Sequence, residues 1–120
     1  RDFFTGMEEA FENETLAVAI GGMAPDALYS LALCYNAVAG TPLSDSYVEV
    51  QQKYIFLTSA EECKVYEEYF GSDLSHVGDV YTEEYLNSLL QSNNPELNAE
   101  TLQSMMDEYS MEWIEEQVQK

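Results

Sequence analysis

Positive charge is scarce in this sequence. Its 120 residues include 4 Lys+Arg against 23 Asp+Glu, a formal net charge of −19. Arg1, Lys53, Lys64 and Lys120 stand far apart, whereas gripping a phosphate backbone takes clustered cations. Nucleic-acid binding through phosphate is therefore excluded, and an anionic membrane surface is disfavoured for the same reason. Histidine occurs once and cysteine twice, too few for a four-ligand zinc site of the usual kind. No run reaches the roughly 18–20 apolar residues that a membrane-spanning helix needs. The longest stretch, Ala24 to Ala39, is interrupted by Asp26, Ser30 and Asn36. Neither G-x-x-x-x-G-K-[ST] nor G-x-G-x-x-G is present, so no nucleotide fingerprint appears and no cofactor is expected. Disorder is excluded from the other direction: apolar residues make up 46% and aromatics 12%, and acidic disordered chains are poor in both. The length suits one small domain or a piece of a larger one.

Periodicity then divides the chain. Phe3, Phe4, Met7 and Phe11 share one side of a helix over residues 2–12, opposite Glu8, Glu9 and Glu12. Thr15 to Ile20 is a continuous apolar run without polar alternation, which fits a strand covered on both faces, as in a parallel sheet. Pro25 suits a first helical turn. The Ala/Leu-rich stretch from Asp26 to Ala39 predicts a helix apolar nearly all round, hence well buried, with Gly40 as its C′ residue. Tyr47 to Leu57 predicts one long strand, bent near Gln51-Gln52. Ser59 and Glu62 form a capping box for a helix ending at Phe70. Residues 71–81 read as a polar loop. Thr82, Asn98 and Ser110 cap three further short helices. Strands alternating with helices predict the α/β class. Two strands are too few for a stable sheet, and the chain starts mid-element at Arg1 with no signal peptide in view, so the expectation is a fragment of a larger protein.

Chemistry-bearing residues are few. His76 lies in a polar stretch near Asp73, Ser75 and Asp79, and a triad would need a placed nucleophile and an orienting acid; it reads as a solvated loop histidine. Cys34 and Cys63 lack C-x-x-C spacing and read as two small buried hydrophobes. Residues 73–84 partly match a calcium loop through Asp73, Ser75, Gly78 and Glu84, but Val77 occupies the fifth position, where an oxygen ligand belongs. No metal site is expected. The aromatics Tyr66, Tyr69, Tyr81, Tyr85, Tyr109 and Trp113 sit beside Leu and Met at helical spacing and read as core. The carboxylates read as solvated surface, with no pair marked for hydrolysis, so no catalytic residue is assigned.

Over residues 15–70, LAVAIGGMAPDALYSLALCYNAVAGTPL followed by YIFLTSAEECKVYEEYF resembles the last third of type I solute-binding proteins of ABC importers. The matching pieces are Ala17–Ile20, Pro25–Ala39, the turn Ala39-Gly40-Thr41-Pro42-Leu43, and Ile55 to Glu61. The resemblance implies a partial three-layer α/β/α type I periplasmic-binding-protein-like fold with an all-helical C-terminal extension. Residues 1–22 and 53–70 would belong to the C-terminal lobe, 23–52 would supply a crossover helix and strand of the other lobe, and 71–120 would be the extension. Gly21 and Gly22, with Gln51 and Gln52, would be hinges between lobes. Ligands of open α/β sheets lie beyond the strand ends, which implies Gly21, Gly22, Met23 and Asp26 beside the cleft. Gly22-Met23 departs from the polar residue that sugar-binding members often carry there.

The resulting expectation is a non-catalytic extracytoplasmic protein, periplasmic or a cell-surface lipoprotein. It would capture a small polar ligand, a sugar or related metabolite, by hinge closure and deliver it to an ABC permease, with about 200 further residues upstream to complete two lobes. The alternative is an acidic DNA mimic that inhibits a nucleic-acid-binding enzyme, supported by the charge of −19.

Overall fold

A computed structural model describes residues 3–21, 25–71 and 73–119, with the side chains of Phe3 and Asp26 outside the description. Apolar spacing and caps decide most of what it contains. The elements are helix α1 (Phe3–Glu12), strand β1 (Ala19–Gly21), helix α2 (Asp26–Val38), strand β2 (Ile55–Leu57) and helix α3 (Ala60–Phe70). A single 3-10 turn (Leu74–His76) follows, and then helices α4 (Val77–Val80), α5 (Glu83–Ser88), α6 (Ala99–Asp107) and α7 (Met111–Val118). The chain divides into two compact units and passes from one to the other four times. Unit 1 holds Arg1–Gly21, Tyr54–Val80 and Ser110–Lys120; unit 2 holds Gly22–Lys53 and Tyr81–Tyr109.

The expected three-layer α/β/α architecture is overturned. The protein is mostly helical, and its one sheet among the described residues has two antiparallel strands. Ala19 pairs with Leu57, Ile20 with Phe56 and Gly21 with Ile55. The reason lies in burial. An apolar run of the TLAVAI kind fits a strand covered on both faces, yet Val18 and Ile20 are 45% and 64% exposed. Only the Ala19–Gly21 end is strand, and it finds one neighbour. The expected strand over Tyr47 to Leu57 likewise shortens to its last three residues, Ile55–Leu57. In this register Ile20 and Phe56 stand opposite one another on the outer face, with Phe56 60% exposed, while Ile55 and Leu57 are buried.

In unit 1, α3 is the hub. It packs against α1, β2, the 74–76 turn and α4, and α4 packs against α7. Ile55, Leu57, Cys63, Tyr66, Val80, Met111, Trp113 and Ile114 are its buried side chains. Tyr66 also meets the rings of Phe4 and Phe70, at centroid distances of 6.2 Å and 5.1 Å. The stretch expected as a polar loop over 71–81 is instead largely helical. Asp73 caps its first turn by accepting the Ser75 N–H at 3.0 Å, and Val80 inserts into the core.

Unit 2 is organised by α2 and α6. Tyr29, Ala32, Leu43, Leu89, Leu97, Leu102 and Met106 form one buried cluster, with Leu28, Leu33, Val50, Tyr85 and Met105 packed around it. Asn36 is the polar exception at its centre. Its Nδ2 donates to the carbonyls of Ala32 and Leu89, both at 2.8 Å, and its Oδ1 accepts the Gln91 N–H at 2.7 Å. A buried carboxamide with both ends satisfied ties the helix to the turn after α5. The expectation that α2 is buried all round fails: Leu31, Tyr35 and Val38 are 66%, 53% and 90% exposed. Gly40 does end the helix region as C′, in the left-handed conformation (φ 82°) that glycine tolerates.

Candidate functional site

Of the residues assigned to a ligand cleft, Gly21 alone is fully described. Gly22 and Met23 lie outside the described residues, and Asp26 opens α2 with its side chain also outside them. Gly21 ends β1 and is half-buried. A Cβ there would meet the Tyr66 ring, with Cζ at 2.9 Å and Oη at 3.1 Å. A side chain at this point would press on the ring of the buried Tyr66, which would have to shift to admit it. Of the assigned hinge residues, Gly21 and Gly22 straddle one passage between units. Gln51 and Gln52 precede another, and the backbone of Gln51 is fastened to α6 through Gln103.

A different cleft is present within unit 1. Phe11, Glu12, Glu14, Leu16, Ala17, Thr58, Ser59 and Ala60 line an open space of about 400 Å³, within the size range of small-molecule sites. Three segments build it. The end of α1 supplies Phe11 and Glu12. The turn after α1 supplies Glu14, which adopts a left-handed conformation (φ 56°), uncommon for a residue with a side chain. That turn is held by the N–H groups of Thr15 and Leu16 and the Thr15 hydroxyl, all donating to the Ala10 carbonyl at 2.9–3.1 Å. The approach to α3 supplies Thr58, Ser59 and Ala60.

The α3 entrance is well fixed. Ser59 Oγ accepts the Glu62 N–H at 3.1 Å, one half of a capping box. The other half is shifted by one residue: Glu62 Oε2 accepts from the backbone N–H of Thr58 at 2.6 Å and from its hydroxyl at 3.0 Å. The lining thus combines two carboxylates and two hydroxyls with an aromatic ring and small apolar side chains. Carboxylates only accept hydrogen bonds, so the arrangement suits a ligand rich in donors. Nothing in the residue pattern marks this cleft, because Glu12 and Glu14 read as the solvated side of a helix and its end, and Thr58-Ser59 as a cap.

The remaining sequence candidates resolve individually. His76 is exposed, and its Nδ1 lies 3.0 Å from Asp79 Oδ2. Its imidazole is held above its ordinary pKa chiefly by that hydrogen bond, with further help from the charges of Asp79, Glu68 and Asp73. Tyr69 meets the same ring edge-on, with centroids 6.4 Å apart. The stretch compared with a calcium loop runs through helical turns, with Asp73 engaged as a cap. No group of three or more metal-ligating side chains occurs among the described residues.

Both cysteines are free thiols. Cys63 is buried as expected, and burial, followed by the carboxylates of Glu8 and Glu67, pushes its thiol pKa up. Cys34 departs from the expectation: it is exposed. Tyr66, Tyr81, Tyr109 and Trp113 are buried, as expected of core aromatics, whereas Tyr69 and Tyr85 are only half-buried. Tyr29 and Tyr85 share a hydrogen bond between hydroxyls at 2.7 Å, and burial raises the pKa of both.

No protein-family model matches the chain, and neither a curated protein nor a solved structure matches it. None of the described helices is long and apolar enough to cross a membrane.

Proposed function

We propose that this chain is a non-catalytic binding component: part of an extracytoplasmic solute-binding protein that holds a small polyhydroxylated ligand, a sugar or related metabolite, and delivers it to an ABC permease. The reading keeps the binding role suggested by residues 15–70 and drops the three-layer sheet. The observation that carries it is the unit 1 cleft, whose lining joins Glu12, Glu14, Thr58 and Ser59 to the apolar Phe11, Leu16, Ala17 and Ala60. Sugars present many O–H donors and apolar ring faces, and both are matched by that lining. The cleft draws Leu16, Ala17 and Thr58–Ala60 from the two segments in which the likeness to importer receptors resides. Its lining residues are the proposed ligand contacts within the described part of the chain.

Calorimetric titration with a panel of neutral mono- and disaccharides tests the reading. At least one sugar should bind, and Glu14→Gln should weaken it about tenfold, the equivalent of one charge-assisted hydrogen bond. The melting temperature should stay unchanged, because Glu14 is exposed. A panel that gives no heat at millimolar sugar, or binding indifferent to both Glu14→Gln and Thr58→Val, rejects the assignment.

A further inference from the structure

The backbone of Gln51 has a side chain for a neighbour. Gln103 on α6 accepts the Gln51 N–H through Oε1 at 2.8 Å and donates from Nε2 to the Gln51 carbonyl at 2.9 Å. The same Nε2 donates to Asp107 Oδ1 at 2.9 Å, and Lys53 Nζ donates to the Asp107 carbonyl at 2.8 Å. A residue that gives and takes one hydrogen bond on the same side has the posture of a paired residue in an antiparallel ladder. Here a carboxamide fills the partner's place.

The side chains around it keep strand alternation. Glu49, Gln51 and Lys53 are exposed, whereas Val50 and Gln52 are half-buried, Val50 against the unit 2 core. Successive residues of an extended chain aim their backbone groups to opposite sides, so those of Val50 and Gln52 face away from Gln103. Among the described residues, no hydrogen bond engages the N–H or C=O of either. The Gln52 side chain beside them buries an Oε1 that also has no partner among the described residues.

We propose that the open edge of this segment, at Val50 and Gln52, takes an extended segment of another polypeptide as an added β-strand. Backbone hydrogen bonds would supply the affinity and alternate side chains the selectivity. Charge sets the occupant's chemistry. A chain of net charge −19 repels a second copy of itself and attracts a strand in which Lys or Arg alternates with apolar residues. The edge belongs to unit 2 and the ligand cleft to unit 1, so the two proposals fail separately.

Amide hydrogen exchange on the isotope-labelled chain is the test, with a capped octapeptide alternating valine with lysine and threonine as the probe. Saturating peptide should slow exchange at Val50 and Gln52 by at least about tenfold, and leave the Gln51 amide, already bonded, within about twofold. The same peptide with its amide nitrogens methylated keeps its charge and loses its donors; it should give no protection. The proposal is overturned by unchanged exchange at Val50 and Gln52. Equal protection from the methylated peptide overturns it too, as does protection that grows with the concentration of the chain alone, which would assign the edge to self-association.

Discussion

Asn36 shows how much one side chain holds in place. All three of its hydrogen bonds are to backbone groups, one within α2 and two on the turn after α5. Removing a buried partner leaves polar groups unsatisfied at about 1–3 kcal/mol. Asn36→Ala should therefore lower unfolding stability by about 2–3 kcal/mol, read as a fall in the denaturant midpoint, and Asn36→Asp should not rescue it, because a carboxylate cannot donate to the Ala32 and Leu89 carbonyls. His76 offers a different readout. Its pKa is raised in the folded protein from an ordinary value of 6.5. Its pairing with Asp79 therefore stabilises the turn fully below that value, and the contribution is lost as pH rises through the raised one. Asp79→Asn should move the His76 titration, followed by proton NMR, downward towards the ordinary value; an unmoved titration would remove Asp79 as the cause.

The helices illustrate which part of a fold is written locally. Ser59, Thr82, Asn98 and Ser110 each cap the helix that their position indicated. A cap is a contact across three residues, so neighbouring letters suffice to foresee it. Asn98 adds a full box with Thr101, whose hydroxyl accepts the Asn98 N–H at 2.8 Å. For α3 the two halves of the box fall on different residues, so one substitution separates them. Ser59→Ala should cost about 1 kcal/mol of thermal stability while leaving the Thr58–Glu62 bonds to hold the chain entry.

Strands are the opposite case. Whether Val18 and Ile20 are covered depends on what lies beside them, and nothing inside TLAVAI records it. An apolar run of that length fits either a doubly covered strand or a short edge, and here it is the short edge. The cleft is hidden for a related reason: Glu12 and Glu14 line one space with Thr58 and Ser59 only after α1 and α3 have packed together.

On the scale of the whole molecule, charge and apolar surface pull in different directions. A net −19 on a chain this small opposes compaction by self-repulsion. Of the described lysines, Lys64 lies 3.7 Å from Glu12 and 4.0 Å from Glu8, whereas Lys53 donates to a neutral backbone carbonyl, that of Asp107. Raising salt from about 0.01 M to about 0.1 M shortens the screening length from about 30 Å to about 10 Å. The melting temperature should rise accordingly, and a fall would show that ion pairs outweigh repulsion. Meanwhile Ile20, Phe56, Leu31 and Val38 remain uncovered, which soluble chains limit because such patches recruit partners.

The division into units also distributes two optical handles. Trp113, the single tryptophan, sits in the core of unit 1, and the accessible thiol of Cys34 sits in unit 2 while Cys63 is shielded. A maleimide dye added to the unaltered protein would mark α2 alone. Fluorescence energy transfer from the indole to that dye would then give a ruler spanning both halves, ready to register any rearrangement when a sugar or a peptide is added.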